Sequence, residues 1–211
     1  MKDKTILRDQ IAYFMRRLYA QKLTTTSGGN ISVRCGRTIL ITPSGLDKGT
    51  ITGDQIGELD LDGHMVGKSF TPSIESRMHL AIYDCRPDVT AIVHAHPPTV
   101  GVFAASRLEI NTRLGSEPYA ILGRPAYADY ARMGTEKLAE KTAAAALHAD
   151  CVIMRNHGAL TVGKTLLAAF DRLEVLENVA LMTLNARCLP ADSLCELSPE
   201  ELTEIDKFIG R

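Results

Sequence analysis

Two histidines, two residues apart, follow an apolar run near the middle of the sequence. His94 and His96 end the segment 89–96, and two prolines follow directly and stop the strand. Because successive side chains of a strand point to opposite faces, His94 and His96 point the same way and can bind one ion. Zinc favours neutral imidazoles, and a catalytic zinc site uses about three protein ligands. His157, in the turn sequence Asn-His-Gly, is the candidate third ligand.

Glu75 is the carboxylate that can serve such a site. Thr-Pro-Ser at 71–73 predicts a helix start with Ser73 as N-cap, so Glu75 falls in the first turn, where backbone N–H groups attract anions. Glu75 can bind zinc, transfer a proton or only cap the helix, and the residues alone favour capping. His79 lies four residues later on the same helical face, and it can orient Glu75 or pack in the core. The remaining histidines, interpreted as surface or hydrogen-bonded core residues, are His64 and His148.

Three loops of small residues, at 28–30, 42–45 and 71–73, offer backbone N–H groups together with a hydroxyl or an amide. If they converge, they form an anion site suited to a phosphate monoester. Each loop alone is an ordinary turn. The sequence contains neither G-x-x-x-x-G-K-[ST] nor G-x-G-x-x-G, so it gives no support for a nucleotide site.

Strands and helices must hold these residues in place. The apolar periodicity predicts helices at about 4–22, from 73, and at about 99–106, 132–148, 165–186 and 198–209. It predicts strands at about 31–33, 38–41, 56–61, 89–94, 119–122, 151–154 and 159–162. The order lacks the regular alternation of a wholly parallel sheet. We therefore expect one α/β domain over residues 1–211, with a three-layer αβα fold and a mixed, largely antiparallel central sheet.

Composition argues against two classes of partner, nucleic acids and membranes. The 24 Lys and Arg nearly balance the 25 Asp and Glu, which argues against a nucleic-acid partner. The N-terminus has no apolar signal-peptide core, and no apolar run is long enough to span a membrane. We expect no membrane association and a cytoplasmic location. The five cysteines are scattered, so they are expected to be reduced and mostly buried.

Five motifs, found in family order over most of the chain, resemble the class II aldolase/epimerase family typified by fuculose-1-phosphate aldolase. They are Ser-Gly-Gly-Asn-Ile-Ser-Val-Arg at 27–34, Ile-Thr-Pro-Ser-Gly at 41–45, Pro-Ser-Ile-Glu with His79 at 72–79, Val-His-Ala-His-Pro at 93–97 and Asn-His-Gly at 156–158. The resemblance implies the same three-layer fold. It also implies one Zn²⁺ per subunit, held by His94, His96 and His157.

The resemblance further implies that Glu75 lies near the metal in the resting site and acts as the acid/base. The residues that it implies for the substrate-phosphate pocket are Gly29, Asn30, Ser44, Gly45, Ser73 and Ile74. At Ile74 the sequence departs from the family pattern, which commonly has a second serine there, so only the backbone N–H remains as a donor.

Tyr119, in the segment Glu-Pro-Tyr-Ala, resembles the family tyrosine that protonates the leaving aldehyde; a buried structural role is the alternative. The mobile C-terminal tail of the aldolase, with its second tyrosine, has no counterpart here. The resemblance also implies a homotetramer with active sites at subunit interfaces.

The implied reaction is aldol cleavage of a phosphorylated ketose, of the L-fuculose 1-phosphate type, to dihydroxyacetone phosphate and an aldehyde such as lactaldehyde. Two rivals within the family are a methylthioribulose-1-phosphate dehydratase and, less favoured, a ribulose-phosphate 4-epimerase, whose relatives usually carry Asp at the position of Glu75. The adducin head is a non-catalytic rival that lacks the zinc histidines. A Schiff-base mechanism would need a buried lysine with a lowered pKa, and no lysine lies in an apolar strand.

Overall fold

The computed structural model of the protein describes residues 4–211, apart from the side chain of Ala191. Seven strands form one sheet in the order β3-β2-β1-β4-β7-β6-β5. The strands are β1 (Asn30–Cys35), β2 (Thr38–Ile41), β3 (Gly57–Asp60), β4 (Ala91–Ala95), β5 (Ala126–Ala128), β6 (Cys151–Met154) and β7 (Gly158–Gly163). The central position of β4 places its two neighbours, β1 and β7, beside the histidines.

Strand pairing is antiparallel throughout except between β5 and β6, which are parallel. Asn30 at the start of β1 lies opposite His94 of β4, and Ala159 of β7 lies opposite Ala95. The sheet is therefore mixed and largely antiparallel, as the sequence predicts. The pairing brings residues that are far apart in sequence to one end of β4.

Helices cover both faces of the sheet. They are α1 (Lys4–Ala20), α2 (Ser76–Cys85), α3 (Pro98–Ala104), α4 (Ser116–Leu122), α5 (Glu136–Ala146), α6 (Leu166–Ala186) and α7 (Pro199–Ile209). One core lies between the sheet and helices α1, α3 and α6. A second core lies between the sheet and helices α2 and α5. The three-layer αβα architecture predicted from the sequence is confirmed.

Alternation along β4 divides its side chains between the two cores. Ala91, Val93 and Ala95 belong to the core under α1, α3 and α6, whereas Ile92 belongs to the core under α2 and α5. His94 lies two residues after Ile92, so its side chain points to the same face of the sheet, toward α2. A fully buried histidine on that face needs polar partners, and α2 begins beside Glu75.

One predicted strand is wrong, and one strand at the edge of the sheet was missed. The segment 119–122, predicted as a strand, belongs to helix α4, which Gly123 ends with a φ of 59°. The parallel edge strand β5 was not predicted, because three residues are too few to show an alternating pattern. The other predicted elements are present, with ends shifted by a few residues.

The start of α2 also differs from the prediction. The helix begins at Ser76, and Glu75, rather than Ser73, occupies the N-cap position. Residues 73–76 form a turn instead, because the Ser76 N–H donates to the Ser73 carbonyl oxygen at 3.0 Å and Ser73 Oγ accepts from the Glu75 N–H at 3.3 Å. The Glu75 side chain makes no capping hydrogen bond to α2.

Two other sequence expectations concern cysteines and membranes. Of the five cysteines, all free, only Cys151 is fully buried, and the expectation that most would be buried is wrong. Cys188 and Cys195 are exposed after the end of α6. No helix within residues 4–211 combines the length and the apolar character needed to cross a membrane.

Candidate active site

His94 is oriented by a backbone acceptor on the neighbouring strand. Its Nδ1 lies 2.8 Å from the carbonyl oxygen of Ala159 in β7. That carbonyl can only accept a hydrogen bond, so in the neutral ring Nδ1 carries the proton and Nε2 keeps its lone pair. The side chain is completely buried. This arrangement of donor and lone pair is the one that metal-binding histidines use.

His96 lies just beyond the end of β4, between two glycines. A Cβ on Gly28 would come within 2.9 Å of His96 Nδ1, and a Cβ on Gly158 within 2.7 Å of His96 Cδ2. Only residues without a side chain allow the imidazole to fit between these two loops. The backbone N–H of His96 donates to the Leu23 carbonyl oxygen at 3.0 Å, which fixes the segment.

His157 is held by the tight turn between β6 and β7. Asn156 adopts a left-handed backbone conformation with a φ of 56°, which asparagine tolerates better than most residues. The turn is fixed from two sides, because the Asn156 N–H donates to the Ala104 carbonyl of α3 and the Arg155 N–H donates to the Ala128 carbonyl of β5. His157 therefore occupies a defined position opposite the end of β4.

The three imidazoles form one cluster. Their ring centroids are 4.8, 5.0 and 5.4 Å apart, and one nitrogen from each ring lies within 4.8 Å of the others. Nε2 of His94 and Nε2 of His96 are buried and make no hydrogen bond within the described chain. Buried ring nitrogens without hydrogen bonds, converging beside a carboxylate, are the donor set that zinc prefers. The cluster can hold a metal ion.

The Glu75 carboxylate completes the cluster. Its Oε1 lies 2.8 Å from His157 Nε2, and its Oε2 lies 3.1 Å from His94 Nε2. Asn30 Nδ2 donates to Oε2 at 2.8 Å. The carboxylate makes no capping hydrogen bond to α2, so the capping interpretation of Glu75 is wrong.

Charges in the cluster are strongly coupled. Burial favours the neutral acid at Glu75, but His94 and His157 outweigh burial and hold the pKa of Glu75 well below its usual range. Burial lowers the pKa of His94, and the Glu75 carboxylate outweighs this effect and raises it. Burial, reinforced by the neighbouring His94 and His157, lowers the pKa of His96 to about 3. Glu75 is thus an anion and His96 is neutral near pH 7, as a metal site requires.

His79 takes part in a separate buried network. Its Nδ1 lies 2.7 Å from Ser32 Oγ, which in turn lies 2.8 Å from the Tyr83 hydroxyl. Burial, with a smaller contribution from His94, lowers the pKa of His79 to about 3. The ring makes no hydrogen bond to the Glu75 carboxylate, so the structure favours a packing role for His79 over direct orientation of Glu75.

The three small-residue loops converge beside the histidines. Asn30 Nδ2 lies 3.0 Å from Ser73 Oγ and donates to it, and the Ser44 N–H donates to the Thr71 carbonyl at 2.9 Å. These bonds join loop 28–30 to loop 71–73 and loop 42–45 to loop 71–73. Gly29 and Gly45 have φ values of 66° and 71°, which few other residues tolerate. The anion site inferred from the loops therefore has its three parts in contact.

Ile74 and Tyr119 differ in their relation to this site. Ile74 follows Ser73 directly, and its side chain is 57% exposed. The Tyr119 hydroxyl instead donates to Asp206 Oδ2 of α7 at 2.9 Å, and this hydrogen bond raises the pKa of Tyr119. Arg211 lies over the Tyr119 ring. The described chain thus brings together all the predicted site residues except Tyr119, whose contacts lie on helices α4 and α7.

One polar residue near the loops was missed in the sequence. Lys48 is only 1% exposed, although lysine is rarely buried. Apolar periodicity cannot reveal it, because Lys48 follows a turn and lies outside any strand or helix. The sequence held one signal that could have revealed it: Lys48 comes three residues after Gly45, close enough for its side chain to contact loop 42–45.

Comparison with known proteins agrees with the geometry. The family model described as Class II Aldolase and Adducin N-terminal domain matches residues 9–184. The chain belongs to this family. The histidine cluster and Glu75 lie within the matched residues, so the chain is an enzyme of the class II aldolase family rather than a member defined by fold alone.

Named relatives include more than one activity. The chain is 39% identical over 178 residues to an L-fuculose phosphate aldolase from Methanocaldococcus jannaschii, covering 84% of this chain and 95% of the relative. A solved structure of L-fuculose 1-phosphate aldolase superposes with a TM-score of 0.87 at 30% identity, covering 97% of this chain and 96% of that chain. A 3-oxo-tetronate 4-phosphate decarboxylase from Haemophilus influenzae is 32% identical over 170 residues, which cover 78% of this chain and 80% of the relative.

Proposed function

We propose that this enzyme catalyses the zinc-dependent aldol cleavage of a ketose 1-phosphate, of the L-fuculose 1-phosphate type, to dihydroxyacetone phosphate and an aldehyde such as lactaldehyde. The observation that carries the proposal is the cluster of three imidazoles around Glu75, directly beside loops built to receive an anion. The similarity to fuculose phosphate aldolases supports the choice of substrate.

His94, His96 and His157 would hold one zinc ion per subunit, with Glu75 as a further ligand in the resting site. When bound, zinc supplies a Lewis acid that polarises the substrate carbonyl, an effect of several kcal/mol at the transition state. The tautomer fixed at His94 by the Ala159 carbonyl presents a lone pair for this purpose. The retained histidines argue against a non-catalytic binding module.

Glu75 would transfer protons at the substrate. Its carboxylate is an anion that can accept the proton of the C4 hydroxyl as the C3–C4 bond breaks, and it can then return a proton to C3 of the dihydroxyacetone phosphate fragment. Asn30 Nδ2 donates to Oε2 and keeps the carboxylate directed into the cluster. Proton transfer by a positioned carboxylate accounts for a rate effect of about 10²–10⁴.

The substrate phosphate would bind where the three small-residue loops meet. The donors proposed are the hydroxyls of Ser44 and Ser73 and the backbone N–H groups of Gly29, Gly45 and Ile74. Asn30 would line the pocket, and its Nδ2 donates to Ser73 Oγ and Glu75 Oε2. The Ser44 N–H already donates to Thr71, so Ser44 contributes through its hydroxyl. The Ile74 side chain is exposed and carries no donor, so only its backbone N–H is proposed to contribute.

Tyr119 is proposed to assist proton transfer at the C4 oxygen, on the aldehyde side, only in an assembly. Its hydroxyl contacts Asp206 of its own chain, and the described contacts do not include the histidine cluster. A second subunit is then required, in keeping with the predicted homotetramer with interfacial active sites. The homotetramer, the cytoplasmic location and the single domain over residues 1–211 stay predictions.

The first experiment mixes zinc-loaded protein with L-fuculose 1-phosphate and measures dihydroxyacetone phosphate with a coupled reductase. We expect triose phosphate formation that a chelator abolishes and added zinc restores. Parallel reactions with methylthioribulose 1-phosphate, ribulose 5-phosphate and 3-oxo-tetronate 4-phosphate test for a dehydratase, an epimerase and a decarboxylase. Absence of triose phosphate from ketose 1-phosphates, with turnover of one of the others, would end the aldolase proposal.

A further inference from the structure

A buried lysine lies behind the loop that carries Ser44 and Gly45. The Lys48 side chain is almost completely enclosed, at 1% exposure, and its Nζ donates to the Pro43 carbonyl oxygen at 2.6 Å. The backbone N–H of Lys48 donates to the Thr26 carbonyl oxygen at 2.8 Å. Lys48 therefore connects loop 42–45 to the segment just before loop 28–30.

Lys48 has no carboxylate partner among residues 4–211. The nearest acid in sequence, Asp47, accepts instead from the Gly49 N–H at 2.8 Å. From α1, the Tyr19 ring packs against Gly49, and Arg16 donates to the Ile51 carbonyl oxygen. Burial lowers the pKa of Lys48 to about 8, and no neighbouring charge contributes to the shift. A buried ammonium group without a counter-ion is costly unless a ligand supplies the opposite charge.

The position of Lys48 identifies that ligand. Pro43, whose carbonyl accepts from Nζ, directly precedes Ser44 and Gly45. The enclosed ammonium group has no route to a substrate carbonyl, which excludes a Schiff base at Lys48. We propose that Lys48 is a positioning residue whose buried positive charge is balanced by the substrate phosphate, while its Nζ holds the Pro43 carbonyl of loop 42–45 and its backbone N–H holds Thr26, just before loop 28–30. This inference takes one element from the proposed function, namely that the ligand is a phosphate ester. It does not depend on the cleavage reaction.

The pH dependence of binding follows from the same geometry. A phosphate dianion favours the charged ammonium, so binding raises the pKa of Lys48 above its free value of about 8. Affinity is therefore highest below that pH and falls as pH rises through it, because the free protein then loses the proton that binding requires. Removing the charge should weaken binding by about tenfold at neutral pH.

The experiment titrates zinc-loaded wild-type protein and a Lys48→Met variant with glycerol 3-phosphate by calorimetry, from about pH 7 to about pH 10. Glycerol serves as the uncharged control ligand, and Lys137→Met, an exposed lysine on α5, is the matched control variant. We expect wild-type affinity to fall by up to about tenfold over this range. We expect Lys48→Met to bind about tenfold more weakly at neutral pH, with a flatter pH profile.

The outcomes separate this inference from the proposed reaction. In the cleavage assay, Lys48→Met should raise KM about tenfold with little change in kcat, since the lysine acts on phosphate binding. Equal affinity and equal pH profiles in wild type and Lys48→Met would overturn the inference, as would a wild-type protein that binds no phosphate ester. If Lys48→Met does not fold, a wild-type affinity that stays flat through pH 8 also overturns it. Phosphate binding with this profile but no ketose cleavage would sink the proposed reaction and leave the role of Lys48 intact.

Discussion

Two clusters of charged and polar residues lie at opposite ends of the central strands. The cluster at the end of β4 contains His94, His96, His157 and Glu75. At the other end, Asp150 lies 2.9 Å from both Arg86 and Arg172, and Arg86 also pairs with Asp88 at 2.8 Å. Each cluster joins side chains from distant parts of the chain, and each contains opposite charges.

The clusters differ in how many of their polar atoms are hydrogen-bonded or ion-paired within the cluster. The arginine cluster is partly exposed and internally paired, with Arg172 Nε as its one buried atom without a partner. In the histidine cluster, the converging Nε2 atoms of His94 and His96 are buried without a hydrogen bond in the described chain. Mutual satisfaction indicates a structural role, whereas converging buried atoms without partners indicate a place for a ligand. Charge and burial alone would not have distinguished the two ends.

The largest expected effect comes from removing an imidazole at the histidine end. His94→Ala should abolish stoichiometric zinc binding and lower kcat/KM at least about a thousandfold, because the Lewis acid is lost. Metal content by plasma emission spectroscopy and the triose phosphate assay measure both quantities. The matched control is His148→Ala, an exposed histidine beside the arginine cluster, which should keep metal and rate. Full zinc content in His94→Ala would contradict the comparison.

Glu75→Gln separates metal binding from proton transfer. The amide preserves the shape of the side chain, so zinc should be retained by the three histidines, while turnover falls about a hundredfold or more. Zinc content and kcat are measured on the same preparation, with the exposed Glu140→Gln of α5 as control. A rate near that of the wild type would remove the proton role of Glu75.

A smaller effect is expected from crowding His96 without touching a ligand. In Gly158→Ala the new methyl would meet the Ala95 carbonyl oxygen at 2.6 Å and the His96 ring at 2.7 Å, so the imidazole must shift. We expect zinc affinity, measured by competition with a chelating dye, to fall about tenfold. Gly101→Ala is the control, because nothing lies within 4 Å of its added methyl. Unchanged zinc affinity in Gly158→Ala would show that the close glycine contact is not needed.

The smallest effect is expected at the arginine end. Asp150→Asn weakens the ion pairs with Arg86 and Arg172, whose side chains are partly exposed. The free energy of unfolding, measured by urea titration, should fall by about 1 kcal/mol, with zinc content and kcat unchanged. A large loss of activity with retained stability would mean that the arginine cluster affects the histidine cluster. It would contradict a purely structural role for the arginine cluster.

The sequence predicts the layers and the residues of the candidate site better than it predicts local geometry. Histidine spacing, glycine-bounded turns and apolar periodicity are local signals. They were sufficient to predict that His94, His96 and His157 lie close together. The strand predicted at 119–122 failed because Pro118 in the first turn and Gly123 at the C-terminus bound a helix that is too short to show periodicity. Glu75 was expected to cap α2 because its contacts with His94 and His157 depend on strand pairing that no local pattern reveals.

The order of the strands has a consequence for how the enzyme is made. β4 pairs with β1 on one side and with β7 on the other, so a growing chain that ends before residue 157 has only two of the three imidazoles. A metal ion held by all three imidazoles, as proposed, would therefore bind only after the β6–β7 hairpin has been synthesised. Such an ion would stabilise only chains in which the strands β1, β4 and β7 have paired.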